Sequence, residues 1–263
     1  MIREYKVSIG RACKVADLAR SMFYYKSKKD DTEIITKLET MVRELPTRGF
    51  DEYYGRIRNE GLKWNHKRVR RIYRMMKLHI RRRHKRRVPT RIKEPLAVPK
   101  GLNYCWSADF MSDALVYGRK VRILNVMDDY NREVLAVEAD FSMPAERVTA
   151  ILEQIVARRG KPQVIRVDNG PEYCSRTFSD WCQQKGIRIQ YIQPGKPMQN
   201  GYIERLNRHF REDILDAYLF EDLEELRILA DEWMDDYNQN HPHSALGGLS
   251  PLAYIKSPNS KRA

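Results

Sequence analysis

The sequence predicts an α/β core, a mixed five-stranded sheet with flanking helices, preceded by an all-α, helix-turn-helix-like region. Three observations carry this. Before residue 89 apolar residues recur at spacings of three and four, whereas after residue 100 they gather in runs of strand length. Pro89, Pro95 and Pro99 punctuate the basic stretch between, as an extended linker would require. Charge divides at the same place. Residues 1–100 hold 29 Lys or Arg against 11 Asp or Glu, a net +18, and the remainder holds 20 against 24, a net −4. The expected organisation is a basic helical region over 1–88, a linker over 89–100, a core over 101–256 and a flexible tail over 257–263.

Val7 to Tyr25 reads as two short helices, with Val7, Ile9, Ala12, Val15, Ala16 and Leu18 forming an apolar face. Asp31 to Leu45 is a stronger helix, carried by Ile34, Ile35, Leu38, Met41 and Val42. Glu52–Asn59 and His66–Leu78 make a further pair, with Gly61 in the turn and Asn65 as cap. In the latter, Val69, Ile72, Tyr73 and Met76 face inward, while Lys67, Arg68, Arg70, Arg71 and Arg74 face outward, the candidate contacts for a polyanion. Beyond the linker, Tyr104–Met111, Lys120–Met127 and Glu133–Asp140 read as strands. A helix opens near Pro144 and closes at Gly160. Gln163–Val167 is a short buried strand, Phe178–Lys185 a helix, Ile187–Ile192 a strand, and Asn200 to Asn238 is mostly helical. Three strands, helix, strand, helix, strand, helix is the order of a ribonuclease-H-like α/β fold.

Composition narrows the partners. No run approaches the roughly 20 apolar residues of a membrane span, and Met1 to Gly10 is charged where a secretory signal would be apolar. Cys13, Cys105, Cys174 and Cys182 are too scattered for a disulfide scaffold, with Cys174 and Cys182 expected as core thiols. A cytoplasmic, nucleoid-associated location is expected. The net charge is +14, and the run from His79 to Arg87 contains six Lys or Arg and no acid. Each phosphate neutralised by such residues releases condensed counterions, so double-stranded DNA is the expected partner, bound mainly by the first region.

Two acids occupy unusual places. Asp109 interrupts the apolar strand Tyr104-Cys105-Trp106-Ser107-Ala108-Asp109-Phe110-Met111, where an unpaired carboxylate is costly and a cation is expected beside it. Asp168 follows Val164-Ile165-Arg166-Val167, at the carboxyl end of a strand, where open α/β sheets place ligands. Asp168-Asn169-Gly170 is also a common turn sequence. Glu204 lies on a helix whose apolar stripe is Ile203, Leu206, Phe210, Ile214 and Ala217. Asn200, Glu204, Asn207, Arg208 and Arg211 form a separate polar stripe.

W-S-A-D-F around Asp109, V-D-N-G-P-E-Y around Asp168 and Q-P-G-K-P-M-Q-N-G-Y-I-E-R-L-N around Glu204 resemble the D-D-E transposases of bacterial insertion sequences, in the insertion-sequence-three family. Asp168 and Glu204 are separated by 35 residues, and Arg211 follows Glu204 by seven. Tyr237 to Pro251 is similar to the family's closing signature, with His241 where Arg is usual. R-A-C-K-V-A-D-L-A-R-S-M-F-Y-Y-K resembles the opening of the family's second-frame protein.

The resemblance implies an integrase core in which Asp109, Asp168 and Glu204 are catalytic and hold two Mg²⁺ ions, with Mn²⁺ as a substitute. Hard carboxylate oxygens suit that metal, and two such ions can activate an attacking oxygen and stabilise a leaving one. Water would cleave the element ends and the freed 3′-hydroxyl would attack target DNA. Arg211, Arg208 and Lys196 would contact phosphate near the acids. Element terminal repeats and target DNA are the implied substrates, with self-association in a synaptic complex and a first-frame protein as fusion or partner. The alternative is a catalytically silent DNA-binding regulator that needs that fusion; three acids plus Arg211 favour the enzyme. His241-Pro242-His243 is expected to be a structural turn rather than a metal site.

Overall fold

The computed structural model describes residues 7–25, 30–80, 99–193 and 200–257. Its first elements are α1 (Ile9–Val15), α2 (Arg20–Phe23), α3 (Thr32–Glu44), α4 (Phe50–Asn59) and α5 (His66–Met75). Asn65 caps α5 by accepting from the N–H groups of Lys67 and Arg68. Helices α3, α4 and α5 close around Ile34, Leu38, Tyr53, Ile57, Val69 and Ile72. Helix α5 ends before the expected Leu78, since Lys77 turns into left-handed backbone at φ 58. Most of the basic run 79–87 and of the linker 89–100, together with Lys196 and nearly all of the 257–263 tail, lies outside the described residues.

The core contains β1 (Cys105–Ala114), β2 (Lys120–Asp128), β3 (Val134–Asp140), α6 (Ala145–Arg159), β4 (Val164–Val167), α7 (Arg176–Lys185), β5 (Arg188–Tyr191), α8 (Gly201–Phe210), a π-helical turn Arg211–Leu215, α9 (Leu223–Asn240) and α10 (Pro251–Lys256). The five strands form one mixed sheet in the order β3-β2-β1-β4-β5. Strand β1 runs antiparallel to β2 and parallel to β4. This is the expected fold class.

Both faces of the sheet are covered, which explains why its strands read as nearly continuous apolar runs. Leu124, Val126, Trp106 and Ile165 pack with α6 and α7 through Val148, Leu152 and Phe178. Val121, Ile123, Met127 and Met111 pack on the other face with α8 and α9 through Ile203, Phe210 and Trp233. Two details differ from the sequence reading of this face. Ala217 is exposed and Leu215 is buried instead, because the π turn winds more slowly than an α-helix and shifts the apolar phase. Asn200, expected on the wet stripe, is buried.

Candidate active site

The sheet brings two of the acids together. In the parallel pairing of β1 with β4, Ser107 stands opposite Arg166, and the same offset carries Asp109 opposite Asp168 just past the end of β4. Strand alternation turns Asp109 to the same face as Met111, the face covered by α8, which carries Glu204 in its first turn. Burial pushes the Asp109 carboxyl up to about 6, with the charges of Asp168 and Glu204 acting in the same direction. Thus Asp168, from a post-strand turn, and Glu204, from a helix, both lie within electrostatic reach of Asp109 on its strand. Among the described residues none of the three has a basic partner.

Amides and backbone hold two of them. Asp109 accepts from the Phe110 N–H at 2.9 Å and from Asn207 Nδ2 at 2.8 Å. Asn125, opposite Asp109 in β2, donates to Asn207 Oδ1 at 2.7 Å, which fixes the Asn207 amide with its N–H toward Asp109. Asp168 Oδ1 accepts from the Gly170 N–H at 2.9 Å. A Cβ at Gly170 would stand 3.0 Å from that same oxygen and 3.2 Å from Glu172 Oε2, so a larger residue would have to displace the two carboxylates by a few tenths of an ångström. Glu172 is neutralised by Arg122, whose guanidinium also lies 4.2 Å over the Phe110 ring. The sequence reading missed Asn125, Arg122 and the anchoring role of Asn207. Only a map of which strand faces which could have found them.

Three mutually repelling carboxylates with no guanidinium among them match, in kind, the hard oxygen donors a divalent cation prefers. As they stand, no three His, Cys, Asp or Glu side chains among the described residues gather tightly enough to enclose an ion.

The expected DNA-contacting residues separate into groups. Arg208 is exposed on α8. Arg211 turns toward β1, donating to the Ser112 carbonyl at 3.1 Å, with Asp113 at 3.8 Å. On α5, Arg68 and Arg71 are both paired with Asp31, whereas Lys67, Arg70 and Arg74 are exposed without an acid partner among the described residues. Cys182 is a core thiol that burial pushes up to about 12, but Cys174, expected in the core, is exposed because it follows the turn rather than entering α7.

Two integrase core domain models match, over residues 99–197 and 185–251. The chain is 38% identical over 257 residues to the insertion element IS407 uncharacterized 31.7 kDa protein of Burkholderia multivorans, spanning 96% of this chain and 92% of that protein. It is 32% identical to the insertion element IS476 uncharacterized 39.2 kDa protein of Xanthomonas euvesicatoria, over 100% of this chain and 77% of the relative. The chain belongs to the insertion-sequence-three family of transposases. A more distant relative is the transposase InsD of insertion element IS2 from Escherichia coli, 27% identical over 86% of this chain and 79% of that one. The core fold is also that of a chain in the simian T-cell lymphotropic virus intasome, at TM-score 0.51 and 19% identity over 62% of this chain and 58% of that one.

Where the family's closing signature usually carries Arg, His241 lies at a charged seam between the helical region and the core. Its ring stacks on Tyr237 at 4.6 Å, and its Nδ1 stands 3.2 Å from Glu52. His243 and His209 pack edge-on against it. Burial pushes His209 down to about 3 and His243 down to about 2, so both are neutral imidazoles. Beside them Arg56 holds Asp236 through two hydrogen bonds of 3.0 and 2.9 Å, and Arg48 holds Asp213. His241-Pro242-His243 is thus part of a packed joint, with Pro242 against Gly55.

Proposed function

We propose that this protein is a DNA transposase that cleaves the ends of its element and joins them to target DNA, using Asp109, Asp168 and Glu204 as its catalytic and metal-holding residues. The observation that supports this best is the withheld counter-charge: Asp128, Asp129 and Asp213, deeper in the core, each have an arginine, and these three half-buried acids have none. They would hold two Mg²⁺ ions, which supply the Lewis acidity for in-line displacement at phosphorus. Asp109 and Asp168, across neighbouring strands, are fixed by backbone and amide donors. Glu204 presents a third carboxylate from the start of α8. Asn207 holds Asp109 in one orientation, and exposed Arg208 on the same helix is placed to take a DNA phosphate. Lys196 and Arg211 are proposed for the same task, Arg211 after exchanging its Ser112 contact for phosphate.

The test is cleavage of a duplex carrying the element's terminal repeat, by the full chain and by an upstream-frame fusion, with Mg²⁺. Asp168→Asn, which keeps shape but removes a charge, should lower cleavage by about 10³-fold or more while DNA binding persists. Cleavage by Asp168→Asn at the wild-type rate would overturn the assignment; binding without cleavage by either protein would leave the regulator.

A further inference from the structure

A cleft of about 560 Å³ lies between the start of α4 and the end of α5, far in sequence from the three acids. Its volume falls within the roughly 300–1,000 Å³ that accommodates an organic ligand such as one nucleotide. Its walls are aromatic and charged together, with the acid Glu52 on its floor already answered by Arg48 and Arg56. Phe50, Tyr73 and His79 line it, along with Arg70 and Arg74, one turn apart on α5. The two arginines are exposed and have no acid partner among the described residues, in contrast to Arg68 and Arg71 on the same helix, which Asp31 neutralises. Arg70 stands over the Phe50 ring at a loose 5.5 Å, whereas Arg119 on Phe141 and Arg132 on Tyr202 close to 3.4 Å. The ring of Phe50 is itself braced, stacked on Tyr54 and held edge-on by Tyr73 and His66. Asp51, also in the cleft, offers a carboxylate to the amino group of a base.

We infer that this cleft binds an unpaired nucleotide of DNA, its base taking the face of Phe50 that Arg70 now overhangs and its phosphates held by the displaced Arg70 and by Arg74. A duplex backbone would need only the arginines. A braced ring beside a loosely placed guanidinium is the arrangement that sequence-tolerant single-strand binding uses, since every base has a π-face. The ligand is therefore a frayed or overhanging end, or a flipped base, rather than continuous duplex. The inference rests on the DNA reading above but not on the three acids.

Binding of the full chain is measured in EDTA, so that no cleavage intervenes. The probes are a duplex with a short single-stranded overhang and the same duplex with abasic sugars in the overhang, which have equal phosphates and differ only in bases. The wild-type protein should prefer the base-bearing probe by at least about fivefold, the low end of one stacked base. Arg74→Gln should weaken both probes alike, and Phe50→Leu should abolish the preference. A 2-aminopurine placed in the overhang should be quenched on binding to wild-type protein, a readout that needs no variant. Equal affinity of wild-type protein for the two probes, or no quenching, overturns the inference while leaving the transposase reading intact. Loss of cleavage in Asp168→Asn with the preference kept separates the two in the other direction. Failure to bind either probe overturns both.

Discussion

The start and the middle of strand β1 treat acids in opposite ways. At its start, fully buried Asp129 receives Arg166 at 2.7 Å and the Ser107 hydroxyl at 2.7 Å. Asp128, equally buried, accepts the N–H groups of Asn103 and Tyr130 and faces Arg159 at 3.6 Å. Further along, Asp109 has one N–H, one amide and two acids for company. Taking a carboxylate out of water costs several kcal/mol unless a cation repays it. The chain meets that cost with arginine where the acid only holds strands and loops together, and leaves it unmet at Asp109, whose carboxyl burial raises. On the function proposed above, that unmet cost is the one a bound cation would repay.

That contrast can be broken by stability measurements. Asp129→Ala strands Arg166 in the core and should cost about 3–5 kcal/mol in urea unfolding, whereas Asp168→Asn removes a repelling charge and should be neutral or slightly stabilising without metal. A comparable loss in both would show the two clusters to be alike. Next in size, Mg²⁺ at about 10- to 100-fold above its Kd should stabilise the wild-type protein by about 1–3 kcal/mol and Asp168→Asn far less, read as a Tm shift.

The smallest effect sharpens the comparison through pH. Asp109 has its folded-state value raised to about 6, so its proton favours the folded form at low pH and that stabilisation is lost as pH rises from about 4 through 6. Glu52 runs the other way: burial pushes it up, but the hydrogen bond and charge of His241, with Arg48 and Arg56, bring it to about 2. Its contribution is present above about 4.5 and is lost as pH falls toward 2. In stability–pH curves, Asp109→Asn should flatten the first dependence and Glu52→Gln the second, each by about 1–2 kcal/mol once solvent screening is allowed for. Curves that both variants leave unchanged would discount these two groups.

Much of the fold was legible because its elements are local. Helical spacing in α3 and α5, apolar runs in β1 and β2, and the cap at Asn65 each depend on neighbours a few residues away. Asp109 and Asp168 stood out for the same reason, a charge inside or just beyond an apolar run. What escaped depends on distance in the chain. Arg48 meets Asp213 across 165 residues and Asn207 meets Asp109 across 98, and no periodicity carries such information. Asn207 looked like part of a wet helical face because the strands it bonds to, through Asn125 and Asp109, are elsewhere in the sequence. The π turn misled the placement of Ala217, since a constant 100° per residue assumes an uninterrupted α-helix.

The clasp of Arg48 on Asp213 makes the molecule a caliper. Asp213 lies nine residues past Glu204 on one helical run, about 13 Å at the rise of an α-helix, and Thr47 and Trp233 grip the same carboxylate. The basic region is therefore tied to the helix that carries Glu204 by a buried ion pair, independently of the chain that joins residues 80 and 99. If, as proposed above, one jaw holds a DNA sequence and the acids cut at the other, the number of base pairs between them is set by the clasp. Sequencing of cleaved ends should find that number unchanged when residues are inserted between 89 and 98, and scattered when Arg48→Ala opens the jaw.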